Sequence, residues 1–167
     1  MGTLTVETLR DVAGTVNIPA RELKQRVIQC YQAQYTGGEW NPDNTYTWIP
    51  GAFYDMTPRR ADSRIKFTCR IPHAWVVASH AISNWYFYAN NILYYNWSES
   101  GTHIENGKTY QFEVPSWGTS SGRIGLQHRS HANDNHEVRL YTTYHWDGGG
   151  RSAQNSRGHM IIEELLY

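Results

Sequence analysis

The segment 81–97 constrains the fold of this chain more than any other. It reads AISNWYFYANNILYYNW, two aromatic runs separated by a pair of asparagines. Side chains alternate across a strand, so Trp85 and Phe87 are expected on one face and Tyr86 and Tyr88 on the other. An Asn pair accepts the positive φ angles of a tight turn. Because Tyr and Trp favour strands over helices, the segment predicts a β-hairpin rather than a helix.

The rest of the chain is also divided into short extended runs separated by turn residues. In the segment 64–71, the apolar residues Ile65, Phe67, Cys69 and Ile71 alternate with polar ones, which predicts a strand with one wet face. About eight to ten strands with turns at this spacing are typical of a sandwich or barrel. We therefore predict an all-β fold for residues 25–167, an antiparallel β-sandwich of the jelly-roll type.

The closing segment 158–167 is apolar almost to the final residue. An apolar strand at the edge of a sheet promotes aggregation, so we expect this strand inside a sheet, beside the first long strand at 26–33. Cys30 and Cys69 both lie within predicted strands, and two cysteines are too few for a disulfide framework. The sequence therefore predicts two buried free thiols.

Residues 1–24 have a different character, with apolar side chains but no core of their own. A segment this short gains order by lying on another surface, for example by adding a strand to a partner sheet. We predict an extended N-terminal arm that attaches the protein to a partner; an unstructured tail is the alternative. The residues predicted to make the attachment contacts are Leu4, Val6, Leu9, Val12, Val16 and Ile18.

Charge and hydropathy exclude several classes of partner. The chain has 15 basic and 15 acidic residues and a formal net charge of zero, whereas electrostatic binding of nucleic acid needs clustered Lys and Arg. No apolar run approaches the length of a membrane span. The first residues lack the basic start and apolar core of a secretion signal. We expect no nucleic acid, no membrane insertion and no export by the general pathway.

Catalytic and metal-binding patterns are weak in this sequence. The Gly-x-Ser-x-Gly spacing around Ser120 matches a hydrolase elbow, but a strand-like run follows where a helix is required. His128 and His131 are three residues apart, so on a regular strand they point to opposite faces. The acidic residues lie mostly in turns, where they are expected for solvation. We predict no enzymatic activity, no metal and no cofactor.

Seven short motifs, in order along nearly the whole chain, carry a resemblance to a known family. The sequence LTVETLRDVAG at 4–14 resembles the N-terminal signature of small virion proteins of tailed phages, especially marine and cyanobacterial phages. Each further motif is short, and their order carries the weight of the resemblance. These motifs are VIQ at 27–29, WIPG at 48–51, MTP at 56–58, SRI at 63–65, GLQHRS at 125–130 and IIEE at 161–164.

The resemblance implies a fibre, knob or capsid-decoration protein whose jelly-roll domain forms a homotrimer. Its partners would then be two further copies of itself and a capsid or tail protein, and its location the virion, assembled in the host cytoplasm. The chain departs from the family pattern at Gln127, where Asn is usual, in its Tyr/Trp-rich centre and in its longer apolar terminus. Because of these departures, the resemblance does not identify a ligand.

Aromatic residues make up 14% of the chain, and those of the predicted hairpin suggest a second class of function. Tyr and Trp combine a large apolar surface with a polar group and therefore suit interfaces and carbohydrate-facing surfaces. The alternative is thus a carbohydrate- or receptor-binding module, with a host surface glycan as the ligand. The residues predicted to form either the trimer contact or the glycan site are Trp85, Tyr86, Tyr88, Tyr94, Tyr95 and Trp97.

Overall fold

The structure is a computed structural model in which strands are the regular elements. It describes residues 26–35, 45–71, 82–100, 108–130 and 157–166, together with the backbone of short strands at 8–10, 17–19, 74–76, 138–140, 142–146 and 151–155. The strands are β1 (Thr8–Arg10), β2 (Asn17–Pro19), β3 (Arg26–Tyr35), β4 (Thr47–Met56), β5 (Arg64–Ile71), β6 (Ala74–Val76), β7 (Ile82–Ala89), β8 (Ile92–Ser100), β9 (Lys108–Pro115), β10 (Gly122–Ser130), β11 (Val138–Leu140), β12 (Thr142–Trp146), β13 (Arg151–Asn155) and β14 (Gly158–Leu166).

Eight long strands form two antiparallel sheets of four strands. The first sheet has the order β3-β14-β5-β9 and the second has the order β4-β10-β7-β8. The closing strand β14 pairs with β3 on one side and with β5 on the other, so its apolar residues are not at an edge. The all-β sandwich and the interior position of the last strand are both confirmed.

The pairing of these strands is nested along the chain. β3 pairs with β14, β4 with β10, β5 with β9, and β7 with β8. The chain therefore resembles one long antiparallel ribbon that closes at the β7–β8 turn and is folded into two layers. A jelly roll is a double-sheet arrangement of eight strands. That finer assignment remains a prediction, for which the nested pairing is the supporting observation.

The core lies between the two sheets and is rich in aromatic rings. Phe87 of the second sheet stacks on Phe112 of the first at 4.2 Å between ring centroids, and it contacts Phe67 at 5.3 Å. Trp85 contacts Tyr110 across the same interface at 5.4 Å. Burying a large apolar side chain contributes about 1.5–3 kcal/mol, so these rings hold the layers together. The inward alternation predicted for the strand at 64–71 is confirmed.

The outer face of the first sheet is polar, and this corrects one prediction about the cysteines. Cys69 is buried opposite Met160, as expected. Cys30, in contrast, is exposed, because the register places it opposite Glu163 on the outer face. Glu163 forms an ion pair of 3.4 Å there with Lys66. Both cysteines are free, but the prediction of a buried thiol is wrong for Cys30.

Strand β4 contains an irregularity. It runs without a break but has a register shift where it pairs with β10. Two glycines with positive φ lie at this point, Gly51 at 73° and Gly125 at 152°. A Cβ on Gly125 would lie 2.4 Å from the carbonyl oxygen of Ala52, so only glycine fits there.

The remaining strands form three small two-stranded sheets. β6 pairs with β11 and β12 pairs with β13. These four strands comprise Ala74–Val76, Val138–Leu140, Thr142–Trp146 and Arg151–Asn155.

The N-terminal segment contains two short extended pieces, as predicted. β1 and β2 pair with each other, with Leu9 opposite Ile18. Neither pairs with another described strand. Leu4, Val6, Val12 and Val16, the other proposed contact residues, lie outside the described residues. The role of this arm in attachment stays a prediction.

Candidate functional site

The β7–β8 hairpin places aromatic rings on both faces of the second sheet. Its turn is made by Asn90 and Asn91, whose φ angles are 48° and 65°. Such left-handed angles are tolerated by Asn because its side chain bonds to nearby backbone. Trp85 faces the core, whereas Tyr86 faces away from it. The hairpin and the alternation along β7 are confirmed, whereas an extra residue interrupts the alternation along β8.

The six aromatic residues predicted as one contact or binding set occupy three different environments. Trp85 is completely buried, and the ring of Trp97 stacks on it at 6.0 Å with an interplanar angle of 4°. Tyr94 is half-buried and packs against the core, while Tyr95 on the same strand is exposed. Tyr86 and Tyr88 lie together on the outer face of the second sheet. The structure thus brings only this last pair of the six into a shared surface site.

A row of outer-face side chains crosses all four strands of the second sheet. The register aligns β4 with β10, β10 with β7, and β7 with β8 at one level. A cross-strand row of this kind brings neighbouring side chains within contact distance. From one edge of the sheet to the other, the row consists of Trp48, Gln127, Tyr86 and Asn96.

This row forms part of a depression with a volume of about 540 Å³, which we call the aromatic depression. Its aromatic residues form two edge-to-face pairs. Tyr46 and Tyr86 are 4.9 Å apart between ring centroids, and Trp48 and Tyr88 are 6.1 Å apart. The depression is completed by Asn91, Leu93, Asn96 and Gln127.

A register shift between β7 and β8 brings two of these residues to the same face. Opposite β7, the strand β8 has one extra residue, since Phe87 faces Tyr95 and Tyr88 faces Leu93. Leu93 and Asn96 are three residues apart and would point to opposite faces of a regular strand. The extra residue, Tyr94, removes this difference, so both side chains line the aromatic depression.

Two arginines flank the depression, and both are held by other groups. The guanidinium of Arg129 lies 5.0 Å from the ring centroid of Tyr46 and donates a hydrogen bond of 3.3 Å to its hydroxyl. Arg123 lies over Trp48 at 5.5 Å and donates two hydrogen bonds of 2.7 Å to the carboxylate of Asp55. The residues that line the depression itself carry no formal charge.

The hydroxyl groups of Tyr46 and Tyr86 shift each other's pKa. A hydrogen bond with Tyr86, followed by one from Arg129, lowers the pKa of Tyr46 below its usual value. Burial, and then the contact with Tyr46, raises the pKa of Tyr86. The rim of the depression therefore offers tyrosine hydroxyl groups.

A second surface adjoins the depression along strand β8, which is an edge strand of the second sheet. No described strand pairs with its outer edge. Three large apolar side chains on this strand are exposed: Ile92 by 55%, Leu93 by 42% and Tyr95 by 51%. We call Ile92, Leu93 and Tyr95 the exposed edge. Apolar edges of this kind are usually covered by a partner.

The structure places two of the candidate catalytic and metal-binding residues, Ser120 and His128. Strand β10 begins two residues after Ser120, so the strand–turn–helix context of a nucleophile elbow is not formed there. His128 is fully buried against Trp85 at 4.8 Å, and burial lowers its pKa to about 3. Among the described residues, no group of three or more His, Cys, Asp or Glu side chains is arranged to hold a metal ion. In this same part of the chain, no helix is long and apolar enough to cross a membrane.

Sequence reasoning missed six residues of the aromatic depression. Tyr46 and Trp48 were available as a signal, because they are two apart in a segment expected to be extended and therefore share a face. The positions of the others depend on strand pairing and on the register shift between β7 and β8. The missed residues are Tyr46, Trp48, Asn91, Leu93, Asn96 and Gln127.

Comparison with known protein sequences finds no match for this chain. The chain matches no protein-family model, and it matches no curated protein sequence.

Proposed function

We propose that this protein is a structural component of a phage virion, a homotrimeric fibre, knob or capsid-decoration subunit. In this proposal, residues 25–167 form the trimer and residues 1–24 attach it to a capsid or tail protein. The ordered series of sequence motifs is one support for the proposal. The exposed edge is the structural observation that carries it.

The exposed edge favours a subunit contact because its three side chains are only about half covered within one chain. Full burial of such a side chain contributes about 1.5–3 kcal/mol, so covering the remaining half is worth about 1 kcal/mol for each. A closed trimer would bury the same edge three times. A strand edge also offers unpaired backbone groups for hydrogen bonding to a partner.

The fold offers two further supports. The nested strand pairing supports the jelly roll that we propose, an architecture found in viral capsid domains. Among the described strands, β1 and β2 pair only with each other, which is compatible with an arm that acts separately from the sandwich. An extended arm of this kind can add a strand to a partner sheet.

Light scattering of the purified protein tests the assembly. We expect a mass three times the chain mass of 19.3 kDa at micromolar concentration. The double variant Ile92→Lys/Tyr95→Lys should shift the protein towards the monomer, because each subunit would place buried charges in the contact. A wild-type protein that is strictly monomeric and folded would contradict the proposal.

A matched control separates this edge from general surface hydrophobicity. Val27 lies on β3, an edge strand of the first sheet, and is 48% exposed. The substitution Val27→Lys introduces the same charge on a similarly exposed apolar residue. It should leave the trimer intact. If it dissociates the trimer as strongly as the β8 variant, the contact does not lie on the exposed edge.

A deletion of residues 1–22 tests the arm. The shortened protein should remain folded and trimeric, because its sandwich is unchanged, but it should be missing from assembled particles. Particles can be purified and their content compared by mass spectrometry and by imaging of the labelled protein. Incorporation at the normal level would show that the arm is not the anchor.

A further inference from the structure

The aromatic depression on the second sheet has the chemistry of a ligand site rather than of a subunit contact. We infer that it binds a neutral oligosaccharide, with Trp48 and Tyr88 as the stacking platform and Asn96 and Gln127 as the hydrogen-bonding groups. This site goes beyond the proposed assembly role. The depression shares Leu93 with the exposed edge, so the proposed trimer contact adjoins the site, but binding itself does not require the trimer.

The ring geometry supports stacking of a sugar. Trp48 and Tyr88 meet at an interplanar angle of 64°, and Tyr46 and Tyr86 meet at 63°. In an edge-to-face pair, at least one ring keeps a face that its partner does not cover. The apolar C–H face of a pyranose can lie on such a ring face. The pair of rings therefore offers an apolar platform next to polar groups.

The polar groups of the depression match hydroxyls in particular. The side chains of Asn96 and Gln127 occupy the same cross-strand row, on either side of Tyr86. An amide presents both a donor and an acceptor, which is what a sugar hydroxyl also presents. The tyrosine hydroxyls at the rim add further groups of both kinds. Few, well-placed polar groups in a mainly aromatic cavity are typical of small-molecule sites.

The charges of the depression favour a neutral ligand over an acidic one. No lining residue is charged. The nearest cations are occupied, since Arg123 is paired with Asp55 and Arg129 is held against Tyr46. An anionic sugar would have to compete with the carboxylate of Asp55 for the guanidinium of Arg123. A neutral oligosaccharide needs no such exchange.

The size of the depression argues against a protein as its occupant. Its volume of about 540 Å³ lies within the range of about 300–1,000 Å³ that is typical of small-ligand pockets. A stable protein interface needs a much wider and flatter area of about 800 Å² from each partner. The depression therefore accommodates a short oligosaccharide rather than a folded surface.

The experiment is a binding screen with the full chain at neutral pH. The probes are short oligosaccharides of glucose, galactose, mannose and N-acetylglucosamine, compared with sialyllactose and a uronic-acid oligosaccharide. Binding is followed by tryptophan fluorescence and by saturation-transfer NMR. We expect saturable binding of at least one neutral probe and no preference for the acidic ones.

Two variants assign the binding to the depression. Trp48→Ala removes the stacking platform, and Asn96→Ala removes an exposed hydrogen-bonding group with little risk to the fold. Each should weaken binding by about tenfold or more. Ser98→Ala is the matched control, since Ser98 lies two residues along the same strand, beside Asn84 and outside the depression. It should leave the affinity unchanged.

The outcomes separate the possible occupants. Absence of saturable binding to every neutral probe would overturn the inference, and so would a preference for the acidic probes. Equal binding by wild type and by Asn96→Ala and Trp48→Ala, with both variants folded, would place the ligand elsewhere. If Asn96→Ala instead dissociates the oligomer, the depression is a subunit contact, and the inference fails while the proposed assembly stands.

Discussion

The carboxylate of Glu164 in β14 accepts a hydrogen bond of 2.6 Å from the hydroxyl of Ser63, 101 residues earlier in the chain. Both residues are buried. The same carboxylate accepts backbone hydrogen bonds from Arg59 at 2.9 Å and from Arg60 at 3.0 Å. One side chain of the closing strand therefore holds the turn between β4 and β5, which links the two sheets.

Replacement of Glu164 should destabilise the sandwich strongly. Glu164→Ala leaves the backbone N–H groups of Arg59 and Arg60 without their acceptor. The Ser63 hydroxyl, in contrast, still has the Arg60 carbonyl oxygen at 2.8 Å. We expect a loss of about 2–4 kcal/mol in the free energy of unfolding. Glu164→Gln keeps one acceptor oxygen and should cost about 1–2 kcal/mol. Urea denaturation followed by fluorescence measures both values.

The adjacent residue Glu163 is the matched control. It lies on the other face of β14, where it pairs with Lys66 at 3.4 Å in a partly exposed ion pair. Exposed pairs contribute about 0–1 kcal/mol, so Glu163→Ala should have a small effect. Equal losses for the two glutamates would mean that Glu164 does not hold the turn.

Gly125 should be intolerant of a side chain. Its φ of 152° and the approach of the Ala52 carbonyl oxygen predict that Gly125→Ala costs more than about 2 kcal/mol. Gly118 also has a positive φ of 89°, but a Cβ there would meet nothing within 4 Å. Gly118→Ala should therefore cost only about 1 kcal/mol. Thermal denaturation of both variants checks this difference, and similar losses would contradict the close contact at Gly125.

The sequence was sufficient to predict the hairpin, the sandwich and the interior position of β14. Each of these depends on local signals: alternation of apolar side chains, the Asn pair of the turn, and the apolar character of residues 158–167. These signals are strong because a one-residue slip would expose a whole apolar face to water. The alternation around Phe67 and Phe87 therefore specified the core well.

The aromatic depression could not be predicted because it depends on irregular pairing. Leu93 and Asn96 are three residues apart and would face opposite ways on a regular strand, yet the extra residue Tyr94 lets both line the depression. The exposure of Cys30 has a similar origin. Cys30 lies on the outer face of the first sheet because it is paired with Glu163 of β14, a strand more than a hundred residues further along the chain. Local periodicity does not report such partners.

The two cysteines should differ sharply in reactivity. Cys30 is exposed, whereas Cys69 is buried and burial raises its pKa to about 12. The thiolate is the reactive form, so Cys69 should be inert in the folded protein. A thiol reagent should label one cysteine in native protein and two in denaturant. Native Cys30→Ser should not react, and rapid labelling of Cys69 in that variant would contradict its burial.

His128 should make the protein less stable in mild acid. Burial lowers its pKa to about 3, against about 6.5 in an unfolded chain, so the unfolded state binds more protons between these values. The stability that depends on neutral His128 is therefore present above pH 6.5 and is lost as the pH falls. Between pH 7.5 and pH 5 we expect the free energy of unfolding to decrease by about 2 kcal/mol. Carboxylates titrate mainly below this window.

The variant His128→Gln cannot titrate at this position. Its free energy of unfolding should therefore change less with pH over the same range, whatever its absolute stability. Parallel slopes for variant and wild type in urea denaturation would mean that His128 does not titrate with unfolding.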